Sequence, residues 1–139
     1  MSIETNKALV RRYLEVMING GDTSIAAELF APDYVNHTAG SGIGTGPEGL
    51  ARSIDDVKTA FPDWHVTIDS LVAERDMVVD RFTITATHTG SVNGIAASGE
   101  QINKLGIHMW RVVDDNLAEG WYLTDALPMV AAALVPSQK

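Results

Sequence analysis

The order of apolar and polar residues predicts helices in the first half of the chain. Apolar side chains recur at helical spacing over residues 9–17, and charged side chains fill the other side. The sequence Asn-Gly-Gly at 19–21 ends this helix, and Asp22 is suited to cap a second helix over about residues 23–30. A proline suits the first turn of a third helix over about residues 47–60.

The second half of the chain has the pattern of β-strands. Segments 65–74, 76–90, 102–114 and 117–125 are rich in Val, Ile, Thr and aromatic residues, and turn residues separate them. Helices followed by a run of strands predict an α+β fold, with one domain spanning residues 1–139. We expect a cone-shaped α+β barrel, in which the N-terminal helices pack on a curved, mainly antiparallel sheet around a cavity.

The outer face of this sheet predicts self-association. It is expected to carry apolar residues, such as one alternate set among Val78, Phe82 and Ile84. An exposed apolar face of this kind favours a partner, so a homodimer or homotetramer is expected.

A glycine-rich stretch separates the second and third helices. Gly40, Gly42, Gly44 and Gly46 resemble a phosphate-binding loop only superficially, because no Lys-Ser or Lys-Thr follows them and no strand is predicted before them. A flexible lid or loop is the better interpretation.

Composition narrows the possible partners and the compartment. The 139 residues carry a formal net charge of −8, which argues against binding nucleic acid or an anionic membrane. There is no cysteine, so a disulfide, a thiolate nucleophile and a zinc–sulfur site are excluded. The N-terminus lacks the apolar stretch of a signal peptide, and the apolar run at 126–135 is too short to span a bilayer. A soluble, cytoplasmic protein is expected.

One acid, Asp125, interrupts the apolar run WYLTDALPMV. A carboxylate in such surroundings must be paired, shift its pKa or meet solvent in a cavity. At the end of the last predicted strand, Asp125 would lie at the cavity wall. It could instead cap a C-terminal helix beginning at Ala126, and the two roles could coexist.

The four histidines do not form a metal-binding pattern. They are separated by 28, 23 and 20 residues, unlike the paired histidines of compact metal motifs, so no metal or other cofactor is expected. His108 lies in mid-strand, on the face shared with Trp110, and could donate a hydrogen bond to a developing oxyanion if that face lines the cavity. The alternative is a core histidine whose ring nitrogens form hydrogen bonds within the protein and contact no ligand.

Several aromatic and polar residues could contact a hydrophobic, polycyclic small molecule. The aromatic candidates, which could equally belong to the core, are Tyr13, Tyr34, Trp64, Trp110 and Trp121. The polar candidates are Asn36, His37, His88 and Arg111. Each of three polar candidates also has a structural interpretation without a ligand. His37 could lie in an exposed loop, His88 in an ordinary turn, and Arg111 could form an ion pair with an acid on a neighbouring strand.

An ordered set of short motifs resembles the SnoaL-like polyketide cyclases, also called predicted ester cyclases, which share the cone-shaped barrel of nuclear transport factor 2. The matching pieces, within about residues 5–134, are YVNH at 34–37, GPEG at 46–49, FPDW at 61–64, THTG at 87–90, Gly94, Ser98-Gly99, GIHMWR at 106–111, Glu119, Trp121 and Asp125. The turn DDNL at 114–117 and the alanine run after Asp125 depart from the family pattern.

The resemblance implies a function for Asp125. In such cyclases the acid at this position is the general base and acid of an intramolecular aldol condensation, which closes a ring of an aromatic polyketide methyl ester in antibiotic biosynthesis. Apolar walls would raise the pKa of such a carboxyl and suit it to proton transfer. A metal or organic cofactor is not needed for this reaction.

Other functions on the same fold are open. One is a SnoaL-like hydroxylase acting on a polyketide intermediate, another a proton shuttle of the steroid-isomerase kind, and a third a non-catalytic module that binds small molecules. An epoxide hydrolase relay is disfavoured because Asp80 and Arg81 are adjacent on a strand and point to opposite faces.

Overall fold

The helices of the structure cover one face of the sheet. The computed structural model describes residues 2–37 and 46–125. Helix α1, Ile3–Arg12, begins after Ser2, whose hydroxyl accepts a hydrogen bond from the Thr5 N–H. It continues without a break into a wider π-helical segment, Tyr13–Asn19. This segment buries two adjacent pairs of side chains, those of Tyr13, Leu14, Met17 and Ile18.

The second predicted helix is shorter than expected. Asp22 caps a 3₁₀ turn at Thr23–Ile25, which leads into a single α-helical turn, α2, at Ala26–Leu29. Helix α3, Gly46–Ala60, agrees with the expected third helix. The predicted lid glycines 40, 42 and 44 lie outside the described residues. In residues 2–37 and 46–125, none of the helices is long and apolar enough to span a membrane.

Five strands form one mixed sheet, and the α+β fold is confirmed. The strands are β1 Phe30–Asn36, β2 His65–Glu74, β3 Met77–Thr87, β4 Gln101–Val113 and β5 Asn116–Thr124. They lie in the order β1-β5-β4-β3-β2. Every neighbouring pair is antiparallel except β1 and β5, which are parallel. Among the described strands the sheet is open, because its edge strands β1 and β2 do not pair with each other.

Strand β1 was not predicted from the sequence. Its segment, FAPDYVN, contains a proline and an aspartate and lacks apolar alternation. Proline is tolerated because β1 is an edge strand, paired only with β5 among the described strands.

The inner face of the sheet carries the core, which corrects one expectation. Val78, Phe82 and Ile84 are at most 1% exposed and point toward the helices, so the prediction that members of this set lie on the outer face is wrong. The outer face instead presents the opposite alternate set. The exposed apolar residues of β4 and β5 are Leu105, Ile107, Met109, Val113 and Leu123.

Candidate functional site

A cavity lies between the concave face of the sheet and the helices. The space between its atoms, together with open solvent at its mouth, amounts to about 670 Å³. Most of its lining is aromatic or aliphatic. Its polar lining, within the described residues, includes Asn36, Ser53, Lys58 and His108. A pocket of this composition suits a largely apolar ligand with a few polar groups.

A buried acid–imidazole pair faces this cavity. Asp80 is 0% exposed on β3, directly opposite His108 on β4. The Nδ1 atom of His108 lies 3.0 Å from one Asp80 carboxylate oxygen, and the Trp110 indole N–H donates to the other oxygen at 2.9 Å. With the Asp80 oxygen as the acceptor, Nδ1 of His108 is the donor and Nε2 carries the lone pair of the ring. His108 itself lines the cavity.

Aromatic rings fix the plane of the His108 ring. The Phe82 ring stacks on it with centroids 4.4 Å apart, and the Tyr122 ring meets it edge-on at 4.7 Å. Gly106 makes this possible, because a Cβ atom there would lie 2.3 Å from the Phe82 ring. These contacts preorganise His108 before any ligand binds.

The tyrosines predicted to contact ligand do line the cavity. Tyr13 and Tyr34 are both buried and both pack edge-on against Phe30. Burial raises the pKa of each phenol, that of Tyr13 well above its usual value, so both stay protonated near neutral pH. Gly120 leaves room for the Tyr34 hydroxyl, which a Cβ atom would approach to 2.3 Å. Asn36, Trp64, Trp110 and Trp121 also line the cavity.

Asp125 does not lie where the sequence predicted. Its side chain is exposed, and the described residues that line the cavity do not include it. Its backbone N–H donates to the Leu105 carbonyl at 3.0 Å, and its carboxylate lies 3.4 Å from the Leu105 N–H. The prediction of a cavity-wall position is wrong because Asp125 follows the last residue of β5 and lies beside Leu105, itself an exposed residue. Its predicted role as a cap of residues from 126 onward lies outside the described residues.

His88 is buried but belongs to a loop anchor rather than to the cavity wall. Its Nδ1 accepts a hydrogen bond from the Ser98 N–H at 3.2 Å and lies 2.9 Å from the Ser98 hydroxyl. Its backbone also pairs with Gly99 and Glu100. The side chain therefore fastens the β3–β4 connection. Across the described part of the chain, no cluster of three or more His, Asp or Glu side chains is arranged to hold a metal ion.

Arg111 and His37 lie in an ion-pair network outside the cavity. Arg111 donates to Glu119 at 2.6 Å and to Asp76 at 2.9 Å, which agrees with the alternative prediction of an ion pair. His37 lies 2.8 Å from the other Glu119 oxygen and stacks on Trp121 at 4.6 Å. Neither residue is among the described cavity-lining residues, so their predicted contacts with a ligand stay predictions.

Three residues of the site were missed by the sequence analysis: Lys58 and Tyr122, which line the cavity, and Asp80, which lies behind His108. Asp80 was considered only together with Arg81, although its alternation with Val78 and Phe82 places it on the inner face. Lys58 gave no signal, because a lysine on an amphipathic helix is usually solvated. Tyr122 was overlooked beside Trp121, although it lies directly opposite His108 in the register of β4 and β5.

The family model for SnoaL-like polyketide cyclases matches residues 7–133. The chain belongs to this family. In this SnoaL-like protein the match spans all five strands and nearly all of the helical layer. No curated protein matched the chain in a sequence search.

Solved structures of three Streptomyces proteins have the same fold as this chain. TsrD from Streptomyces laurentii is 26% identical, with a TM-score of 0.79 over 90% of this chain and 91% of that one. AclR from Streptomyces galilaeus, described as a candidate hydroxylase, is 26% identical, with a TM-score of 0.76 over 93% and 84%. IdmH from Streptomyces antibioticus, described as a candidate polyketide cyclase, is 26% identical, with a TM-score of 0.73 over 91% and 96%.

Proposed function

We propose that this SnoaL-like protein closes a ring of a polyketide by intramolecular aldol condensation without a cofactor, with His108 as the group that transfers the proton. The observation that carries the proposal is the buried Asp80–His108 pair at the wall of a mainly apolar cavity. Membership of the polyketide cyclase family supports the class of substrate.

Asp80 acts as the positioning residue for this chemistry. Both of its oxygens accept hydrogen bonds, from His108 and from Trp110. The carboxylate fixes the Nδ1–H tautomer of His108 and stabilises the imidazolium that forms when Nε2 takes a proton. Histidine–aspartate pairs in other enzymes work in this way.

The reaction needs one proton to be taken and one returned. Nε2 of His108 removes a proton from a carbon between two carbonyl groups, and the resulting carbanion attacks a second carbonyl of the same molecule. A carbon–carbon bond forms, the attacked carbonyl becomes an alkoxide, and the imidazolium returns the proton to it. The Tyr34 hydroxyl, which burial keeps protonated, is available as a donor to the developing charge.

Substitution at three positions tests this assignment. His108→Asn can still donate to Asp80 but cannot take a proton, so activity on a cyclisable polyketide should fall about 10²–10⁴-fold. Asp80→Asn should lower activity and also alter its pH profile, because the tautomer of His108 is no longer fixed. Asp125→Asn is the matched control, because the Asp125 side chain is exposed outside the cavity.

The control separates the two hypotheses about the proton-transfer group. If Asp125→Asn lost activity to the extent expected for His108→Asn while His108→Asn stayed active, the assignment from sequence would be right and the present one wrong. Melting temperatures of all three variants show whether each remains folded. Unchanged turnover in both the His108 and Asp80 variants would overturn the assignment of the proton-transfer group, whereas binding without turnover in wild type would favour a non-catalytic module.

Hydroxylation of a polyketide is the second candidate function. Its support is the likeness to AclR, which at 26% identity equals the likeness to IdmH. Product masses distinguish the two reactions, because aldol closure gives an isomer or its dehydrated form, whereas hydroxylation adds one oxygen atom. Retention of activity without dioxygen would further support cyclisation.

We also propose that two copies pair through the outer face of the sheet. Leu105, Ile107, Met109 and Leu123 are each 38% or more exposed and lie together on β4 and β5. A contiguous apolar patch on a sheet is typical of a protein interface.

A further inference from the structure

We propose that Lys58 binds a carboxylate on the substrate, so that the preferred substrate is a polyketide acid rather than its methyl ester. The inference rests on the proposed function in one respect, namely that the cavity takes a polyketide. The proposal concerns the end of the ligand that lies far from His108, and it places a carboxylate there.

Lys58 is the only cationic Lys or Arg side chain among the described cavity-lining residues. Its ammonium group donates to the backbone carbonyls of Asn19 and Trp64, each at 3.2 Å. An ammonium has three N–H donors, so these two contacts leave one donor. Among the described residues, no carboxylate lies within ion-pair distance of it. Two carbonyls therefore hold the ammonium in place, and the carboxylate of Asp63 acts on its charge from beyond ion-pair distance.

The two carbonyl contacts do not by themselves explain a lysine here. The Asn19 side chain already joins the end of the π-helical segment to β2, through hydrogen bonds with both the N–H and the carbonyl of Val66. Partial burial lowers the pKa of Lys58 by removing some of its hydration, and the negative charge of Asp63 offsets only part of this effect. A charge kept in such a place is best compensated by an anion in the cavity.

Lys58 and His108 lie toward different ends of the cavity. Lys58 contacts the carbonyl of Trp64, two residues before Val66, and Val66 pairs with Ile84 on β3. His108 is hydrogen-bonded to Asp80, which lies on the same strand four residues from Ile84. Along β3, Ile84 and Asp80 are therefore about 13 Å apart, at about 3.3 Å per residue. A flat molecule of several fused rings spans such a distance. One ligand can therefore place its carboxylate at Lys58 and its reacting carbon near His108.

The negative net charge of the protein increases the expected effect of Lys58 on ligand selection. A protein with a formal net charge of −8 repels an anionic ligand at most of its surface. A single cation inside the cavity therefore selects for an acid at the binding step. Loss of that cation should change which ligand binds more than it changes the fold.

A matched pair of probes tests the proposal by binding alone. Anthraquinone-2-carboxylate and its methyl ester differ only in the charge at one end, and quenching of the tryptophan fluorescence gives their dissociation constants. Charge-assisted hydrogen bonds are worth about 1.5–3 kcal/mol, so wild type should bind the acid about tenfold or more tightly than the ester. Lys58→Met should abolish this preference, and Lys58→Arg should retain it.

Controls keep this result separate from folding and from catalysis. Arg52→Met removes an exposed cation from the same helix and should leave the preference unchanged. If Lys58→Met does not fold, Lys58→Gln supplies the neutral side chain. Equal binding of acid and ester by wild type, or an unchanged preference in the neutral variants, would overturn the proposal. Failure of the His108 variants to lose activity would overturn only the proposed mechanism.

Discussion

Asp80 shows how one polar residue can replace an apolar one in the middle of a core strand. It alternates with Val78 and Phe82 on the inner face of β3, where a charge is costly unless it is hydrogen-bonded. His108 and Trp110 meet this requirement with one bond to each oxygen. Removing either partner leaves a buried carboxylate oxygen unsatisfied, so the three residues act as one unit.

Gly106→Ala should disturb the site through packing. The added Cβ atom would lie 2.3 Å from the Phe82 ring and 2.9 Å from the Leu123 carbonyl oxygen, so the ring that stacks on His108 must move. Overpacking of this kind costs typically about 1–3 kcal/mol. Chemical denaturation should show that loss of stability, accompanied by lower activity.

The double variant Gly106→Ala, Phe82→Leu checks the cause. A smaller side chain at 82 relieves the collision, so the two substitutions should be less than additive in their effect on stability. Strict additivity would mean that the Phe82 ring is not what the new methyl group strikes.

The faces of individual side chains could be predicted only where alternation was counted within a strand. His108 was placed correctly on the face of Gly106 and Trp110, because all three lie in the middle of one segment. Asp125 was placed wrongly, because its face depends on the pairing of β5 with β4, which the sequence does not show. The partnership of Asp80 with His108 depends on the same kind of pairing between β3 and β4.

At the scale of elements, regular periodicity was enough to predict most of the fold. The expected strand at 65–74 matches β2, and the other three predicted strands differ from β3, β4 and β5 by one to three residues at their ends. β1 was missed because its stability comes from parallel pairing with a strand more than 80 residues away. Local propensity carries no information about such a partner.

The ion-pair network on the outer face should make stability depend on pH. Hydrogen bonds from His37 and then from Arg111 lower the pKa of Glu119 below its usual 4.5. A carboxyl group with a lowered pKa in the folded state stabilises the fold above the pKa of the unfolded chain, and this contribution is lost as the pH falls through the folded-state value. The loss therefore begins near pH 4.5 and continues below it.

Glu119→Gln tests this dependence. The melting temperature of wild type should exceed that of the variant near neutral pH, and the difference should shrink as the pH falls below about 4.5. All members of the network are partly exposed, so the effect should be small and should weaken with added salt. Glu74→Gln, at the exposed end of β2, is the control and should not change how the melting temperature falls at acidic pH. A constant difference across pH would contradict the assignment.

At the scale of the whole molecule, the sheet separates two chemically different surfaces. Its inner face holds the core and the cavity, while its outer face exposes an apolar patch on β4 and β5. The same strand β4 carries His108 on one side and Ile107 on the other. Pairing of two copies through the patch would therefore support the strand that holds the site.

Ile107→Lys should weaken that pairing. The substitution puts a charge into a patch whose other members are apolar, and a buried unpaired charge is costly at an interface. Sedimentation at micromolar concentration should show dimers or larger assemblies for wild type and monomers for the variant. Val16→Lys, on the helical side of the molecule, should leave the assembly unchanged. A monomeric wild type would contradict the proposed interface.

The π-helical segment Tyr13–Asn19 bears on how the length of this chain can change. Its turns hold more residues than α-helical turns, so deletion of one residue would let the segment rewind as an α-helix between the same neighbours. The same deletion within β4 would exchange the inner and outer faces for the rest of the strand. The helical wall of the cavity can therefore accept the deletion of a single residue. The strands that carry Asp80 and His108 accept only deletions or insertions of an even number of residues, because these keep each side chain on its own face of the sheet.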